Sequence, residues 1–171
     1  GEDIWFCDKL EDGTWGNPVN FSSFNTSSHE ALMSISADGN VAIVFGNYNG
    51  SFGNGDLFYS VKTADGWSVP CNLGGDVNTD GWESQANLSA DGKTLIFTSS
   101  RTGTKGNGDL WMTQLGESGW SKPINLGGQI NTSGSEGSSQ LADDGKTLYF
   151  KSNGHYGVEG YDVFVSNRLD E

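Results

Sequence analysis

The chain has 171 residues, 26 of them glycine, with 12% aromatic residues and a formal charge of −13 at neutral pH. That length sets a prior of one domain, and glycine at about twice average usage suits a turn-dense all-β chain that keeps enough aromatic side chains for a core. The acidity argues against nucleic acid and anionic membrane surfaces, whose phosphates it repels, and no run approaches the ~18 apolar residues of a membrane span.

Three near-copies of one pattern succeed each other: EALMSISADGNVAIVFGNYNGSFGNGDLFYSV from Glu30, ESQANLSADGKTLIFTSSRTGTKGNGDLWMTQ from Glu83 and EGSSQLADDGKTLYFKSNGHYGVEGYDVFVSN from Glu136. The three glutamates stand 53 residues apart, as do Asp38, Asp91 and Asp144, and Asp56, Asp109 and Asp162, a ladder that Asp3 extends backwards. A fixed period of this size signals a stacked or radial repeat. Short apolar runs bounded by Gly, Asn, Asp and Ser read as strands and turns, and no segment carries a sustained helical stripe.

In chain order, 1–28 is a partial unit in which EDIWFCDK matches a third strand and WGNPVNF a fourth. Residues 29–81 and 82–134 are complete units, and 135–171 supplies three strands. In the middle unit the strands fall at 84–88, 94–99, 109–114 and 122–126. Asp-Gly joins the first two, since a tight hairpin needs positive φ. Four strands per period make one propeller blade. The expected fold is therefore an all-β propeller of four-stranded antiparallel blades, about three of them present.

The thirteen strands divide as two, four, four and three. Both ends bring a third strand, so the expectation is a fragment of a longer propeller, or protomers that complete one another. Gly1 follows no leader, which reads as a processed or excised chain. Cys7 and Cys71 lie on non-equivalent strands and read as two small buried side chains rather than a disulfide.

The unit E-x-x-x-x-L-S-A-D-G-K-T-L-x-F-x-S-x-R, followed by G-x-G-D-L and G-W-S-x-P-x-N-L-G, resembles the WD-like β-propeller repeat of the TolB type, in the flavour found beside OmpA-like domains in bacterial envelope proteins. The resemblance covers nearly the whole chain. It implies a propeller, an extracytoplasmic setting (periplasmic, outer-membrane-associated or secreted) and interaction with protein or with cell-wall glycan such as peptidoglycan. Two departures are the missing acidic residue between Ser100 and Arg101 and the arginine kept only in the middle unit.

Residues that recur in every unit read as scaffold. Glu30, Glu83 and Glu136 read first as loop anchors, with channel-mouth contact second and catalysis last; Asp3, Asp56, Asp109 and Asp162 read as turn acids bonded to nearby backbone. Residues that break the repeat read as candidates for binding. On the face bearing the loops from second to third strands, Tyr48 aligns with Arg101 and Gly154, Phe52 with Lys105 and Val158, Asn49 with Thr102 and His155, and Gly50 with Gly103 and Tyr156. Trp82 precedes Glu83. The candidate binding set is Tyr48, Phe52, Trp82, Glu83, Arg101, Lys105, His155 and Tyr156. Trp15, Trp67 and Trp120 belong to the opposite face and read as packing over blade edges, with Pro18, Pro70 and Pro123 opening outer strands.

Catalytic signatures are sparse. HEALM lacks the second histidine of a zinc site, no G-x-S-x-G elbow exists, and SADGKT lacks the aromatic close of a sialidase Asp-box. The residues imply no cofactor; calcium is a minor expectation at NYNGSFGNGD and TKGNGD. The leading expectation is a non-enzymatic interaction module. Behind it stand a glycan-active hydrolase using channel-mouth carboxylates and a structural subunit that assembles through open blade edges, as a homo-oligomer or within a larger parent chain.

Overall fold

Runs such as Val41-Ala42-Ile43-Val44 and Leu95-Ile96-Phe97 carry no polar alternation, as strands do when both faces are covered. In a computed structural model, which describes residues 1–156 and 159–169, they form the second strands of successive antiparallel sheets, and the described residues contain no helix. The first sheet pairs β1 (Trp5–Phe6) with β2 (Val19–Asn20). The second runs β3 (Ala31–Ile35), β4 (Val41–Gly46), β5 (Asp56–Thr63), then β6 (Gly66–Trp67) and β7 (Cys71–Asn72), both paired to β5. The third repeats this as β8 (Glu83–Leu88), β9 (Thr94–Ser99), β10 (Asp109–Gly116), β11 (Gly119–Trp120) and β12 (Ile124–Asn125). The fourth is β13 (Glu136–Leu141), β14 (Thr147–Ser152) and β15 (Asp162–Asn167).

The outer strand differs from the expected single run at 122–126. It is split into β11 and β12 around Pro123, which has no N–H for the ladder. Ser121 fills the gap, its carbonyl accepting from Thr113 Oγ1 at 2.6 Å and its hydroxyl from the Gln114 N–H at 3.1 Å. The second sheet breaks in the same way beside Pro70.

Alternate side chains of each second strand enter different cores. Ala42 and Val44 meet Ile4 and Phe24 of the preceding sheet, while Ile43 meets Ala86, Leu88, Leu95 and Phe97 of the following one. Ile96 in turn packs with Leu148 and Phe150. Each such side chain stabilises by roughly 1.5–3 kcal/mol when withdrawn from water.

Inner strands of neighbouring sheets also bond directly, at positions one period apart. Gln85 Oε1 accepts from the Ser138 N–H at 2.7 Å, and Asn87 Nδ2 donates to Gln140 Oε1 at 3.2 Å. Gln85 and Ser138 hold left-handed φ of 49° and 46°, each where its strand bulges. Such values strain residues that carry a Cβ.

Two smaller outcomes concern cysteines and membranes. Cys7 and Cys71 are unpaired, as expected, but both are exposed rather than buried. Cys71 sits on the short outer strand β7, and Cys7 just beyond β1, where the first sheet has only two strands to cover it. Among the described residues no helix is long and apolar enough to cross a membrane.

Candidate functional site

The recurring glutamates, with Asp56 and Asp109, are held inside the frame, whereas Asp3 and Asp162, expected to match them, are exposed, Asp3 accepting from the Asn20 side chain at 3.3 Å. Glu83 is fully buried; its carboxylate accepts from Thr79 N–H and Oγ1, each at 2.8 Å, and from Ser99 Oγ at 2.6 Å. Glu136 does the same with Thr132 and Ser152, and Glu30 with Thr26. Every one of these bonds ties the carboxylate to its own loop as an anchor. Asp56 accepts from the N–H groups of Phe52 at 2.6 Å and Gly53 at 3.1 Å and from Asn72 Nδ2 at 3.0 Å; Asp109 does likewise with Lys105, Gly106 and Asn125.

A recurrent asparagine completes this frame and is absent from the candidates read from sequence. Asn78 Oδ1 accepts from the Leu57 N–H and its Nδ2 donates to the Leu57 carbonyl, both at 2.8 Å. Asn131 clamps Leu110 in the same way, and Asn25 clamps Ile4. The amide thus supplies an acceptor for that N–H and a second donor to that carbonyl, which the N–H of Leu73, Leu126 or Phe21 also reaches. An Asn-Thr pair at 25, 78 and 131, one period apart, is the signal that marks it.

Half of the candidate set points inward. Tyr48 donates its hydroxyl to the Phe24 carbonyl at 2.7 Å. Arg101 donates Nη1 to the Asp76 carbonyl at 3.1 Å and Nη2 to that of Val77. His155 Nε2 stands 3.0 Å from the Ile130 carbonyl, so that nitrogen carries the proton. Phe24, Val77 and Ile130 are equivalent positions, 53 apart. Three chemically unlike side chains therefore satisfy one recurring acceptor.

Arg101 is the most heavily engaged of these. Only 10% of its side chain is exposed, and its Nη2 lies 3.6 Å from Glu83 Oε1. The guanidinium carbon sits 5.0 Å from the centroid of the Phe97 ring and 5.2 Å from that of Trp111, positions suited to cation–π contact. Burial pulls its pKa down and the Glu83 charge opposes the shift. Burial and the Glu30 charge push the Tyr48 phenol up. Tyr48, Glu83, Arg101 and His155 thus hold loops rather than present themselves to solvent.

Phe52, Trp82, Lys105 and Tyr156 remain at the surface, Tyr156 entirely so. Trp82 leans edge-on against Phe45, with ring centroids 6.2 Å apart. Phe52 lies over Gly75, and Lys105 over the equivalent Gly128. Val158, aligned with both, lies outside the described residues. On the opposite face Trp67 and Trp120 pack against cores, whereas Trp15 is exposed. Among the described residues no group of three or more His, Cys, Asp or Glu side chains gathers where it could hold a metal ion.

No family model matches the chain, and no curated protein does. Among solved structures, TolB from Acinetobacter baumannii is similar with a TM-score of 0.60 and 20% identity, over 96% of this chain and 35% of that one. The putative TolB from Agrobacterium tumefaciens matches with a TM-score of 0.60 and 18% identity, over 95% of this chain and 56% of that one. The chain spans between about a third and just over half of those proteins. The fold is TolB-like and of propeller type.

Proposed function

We propose that the chain is a non-enzymatic interaction module of a bacterial envelope or secreted protein, binding a protein or cell-wall glycan partner through the loops of one propeller face. The observation that carries this is a division of labour. Glu30, Glu83 and Glu136 are saturated by hydroxyl and backbone donors, while Phe52, Trp82, Lys105 and Tyr156 stand exposed on the connections around them. Exposed aromatic and cationic side chains on a rigid frame suit recognition. A hydrolase would need a carboxylate free to exchange a proton, and these three are not arranged for it.

Sedimentation with purified peptidoglycan sacculi, and cross-linking to outer-membrane and periplasmic proteins, test the proposal. A partner held by the wild-type chain and lost with Trp82→Ala and Lys105→Ala sustains it. Binding indifferent to all four exposed residues sinks it. Calcium at the GNGD turns would have to displace the N–H donors on Asp56 and Asp109; an unchanged melting midpoint with added calcium chloride argues against it.

One observation favours a second reading, lateral assembly. Among the described residues strand β15 has no outer partner, and Val163 on it is 77% exposed, with Val165 and Tyr149 exposed beside it. The equivalent residues Leu57 and Leu110 are fully buried. An uncovered apolar edge invites pairing. Light scattering over a concentration series then shows growing mass that Val163→Lys reduces; a constant monomer mass rejects assembly.

A further inference from the structure

A cleft of about 840 Å³ opens between the second and third sheets. Tyr59 and Val61 of β5 form one apolar wall, and Leu88, Leu115 and Trp120 the other. Asp38 and Asp91, from the two hairpin turns, stand at its rim with Asp76 from the connection after β7. All three are exposed, and among the described residues no lysine, arginine or histidine lines the space. Its size lies in the range of ligand-receiving pockets.

The next interface in the same chain is a control. Between the third and fourth sheets the equivalent cleft is about 290 Å³. There Met112, Gln114 and Arg168 stand where the larger cleft has Tyr59, Val61 and Leu115, and Lys146 also lines the space. The two hairpin acids recur in every unit and are bonded within their own turns, so what distinguishes the larger cleft is its apolar walls and Asp76, which is Gln129 in the next unit. The walls do not resemble the Tyr48, Arg101 and His155 clamps, which vary in type but fill one structural need. Val61 is 39% and Leu115 44% exposed, so each leaves apolar surface in water.

From this charge and shape complementarity we infer that the cleft between the second and third sheets is a docking groove for an extended basic–apolar polypeptide segment of a partner protein. Its apolar side chains lie between Val61 and Leu115, and its lysines or arginines meet Asp38, Asp91 and Asp76. Among the described residues no three acids gather about one point, so a single ammonium does not answer all of them, whereas cations spaced along a chain do. Anionic lipid and nucleic acid are repelled by the same rim. None of Phe52, Trp82, Lys105 and Tyr156 lines this cleft.

The test uses two peptides, acetyl-Lys-Leu-Phe-Leu-Lys-amide and its Glu-flanked counterpart, with phenethylamine as a single-amine probe, each titrated at low ionic strength and followed by amide chemical shifts. The expected result is saturable binding of the basic peptide alone, with shifts at Tyr59, Val61, Leu115 and Trp120, weakened by added salt because the acids are exposed. Asp38→Asn with Asp91→Asn should weaken it roughly threefold to tenfold. Val61→Lys should abolish it, and Trp82→Ala should leave it unchanged even if the loop face proves inert. The inference is overturned if the Glu-flanked peptide or phenethylamine binds as tightly, if the shifts map elsewhere, or if the basic peptide does not saturate. Mapping and salt dependence on the wild-type chain decide the matter should a variant fail to fold.

Discussion

Asn78 shows how much one side chain carries here, since it supplies the acceptor for the N–H of fully buried Leu57 and a second donor to its carbonyl, beside the Leu73 N–H at 3.2 Å. Asn78→Ala strands the buried Leu57 N–H and removes one of two donors to its carbonyl, at a cost of roughly 1–3 kcal/mol, to be read from urea denaturation. Asn78→Asp should be nearly as damaging, because it keeps the acceptor but turns a carboxylate toward the Leu57 carbonyl. An aspartate variant as stable as the wild type would contradict the clamp. At Arg101 the two carbonyl bonds and the ring contacts require a flat fork, so Arg101→Lys should cost about 1–3 kcal/mol and Arg101→Ala more. Equal urea midpoints for Arg and Lys would refute that role. These residues also mark where reading the sequence fell short. Glu83 was legible as an anchor because it recurs. Tyr48, Arg101 and His155 were not, because they differ in chemistry and His155 reaches its carbonyl from one position further along. Variation at these positions also meets one hydrogen-bond demand in three ways, which only the packing between units reveals.

The hairpins between first and second strands were the most legible elements, since Asp-Gly fixes their geometry. Gly39, Gly92 and Gly145 have φ of 72°, 70° and 66°, where a Cβ would be strained. The third hairpin differs in its chemistry. In the first two, Ser36 or Ser89 accepts from the backbone of the returning strand. At that position the third has Ala142, and Asp144 substitutes, accepting from Thr147 Oγ1 at 2.7 Å and from the Thr147 and Lys146 N–H groups at 2.8 Å. The Thr147 hydroxyl, then the backbone donors, pull the Asp144 pKa from 3.8 to about 2. A depressed carboxyl stabilises the folded state above its unfolded value and ceases to do so as pH falls through the folded one. The support from Asp144 should therefore be complete above about pH 4 and fade toward pH 2. A carboxyl titration followed by NMR that gave Asp144 an ordinary midpoint would break the argument. Pro18, Pro70 and Pro123 each open a short outer strand, but the separate two-residue strand β11 ahead of Pro123, with Ser121 bridging the gap, was less legible.

For the whole molecule, the period and the unbroken apolar runs made the fold readable. Which loops point inward was not, because that depends on side chains meeting between sheets. Each full sheet packs on its neighbours through a separate core, as in a one-dimensional stack. The third sheet has full or nearly full sheets on both sides, whereas the first has two short strands and the fourth an open face. Hydrogen exchange should accordingly be slowest in β9 and faster in β1 and β15; uniform protection across the four sheets would show that they open as one body. Because Tyr48, Arg101 and His155 all secure the same recurring carbonyl, a unit can exchange that fastening for another of different chemistry without moving its strands. Such interchangeable parts let the blades of one chain, and of separate lineages, drift apart in composition while remaining superposable in space.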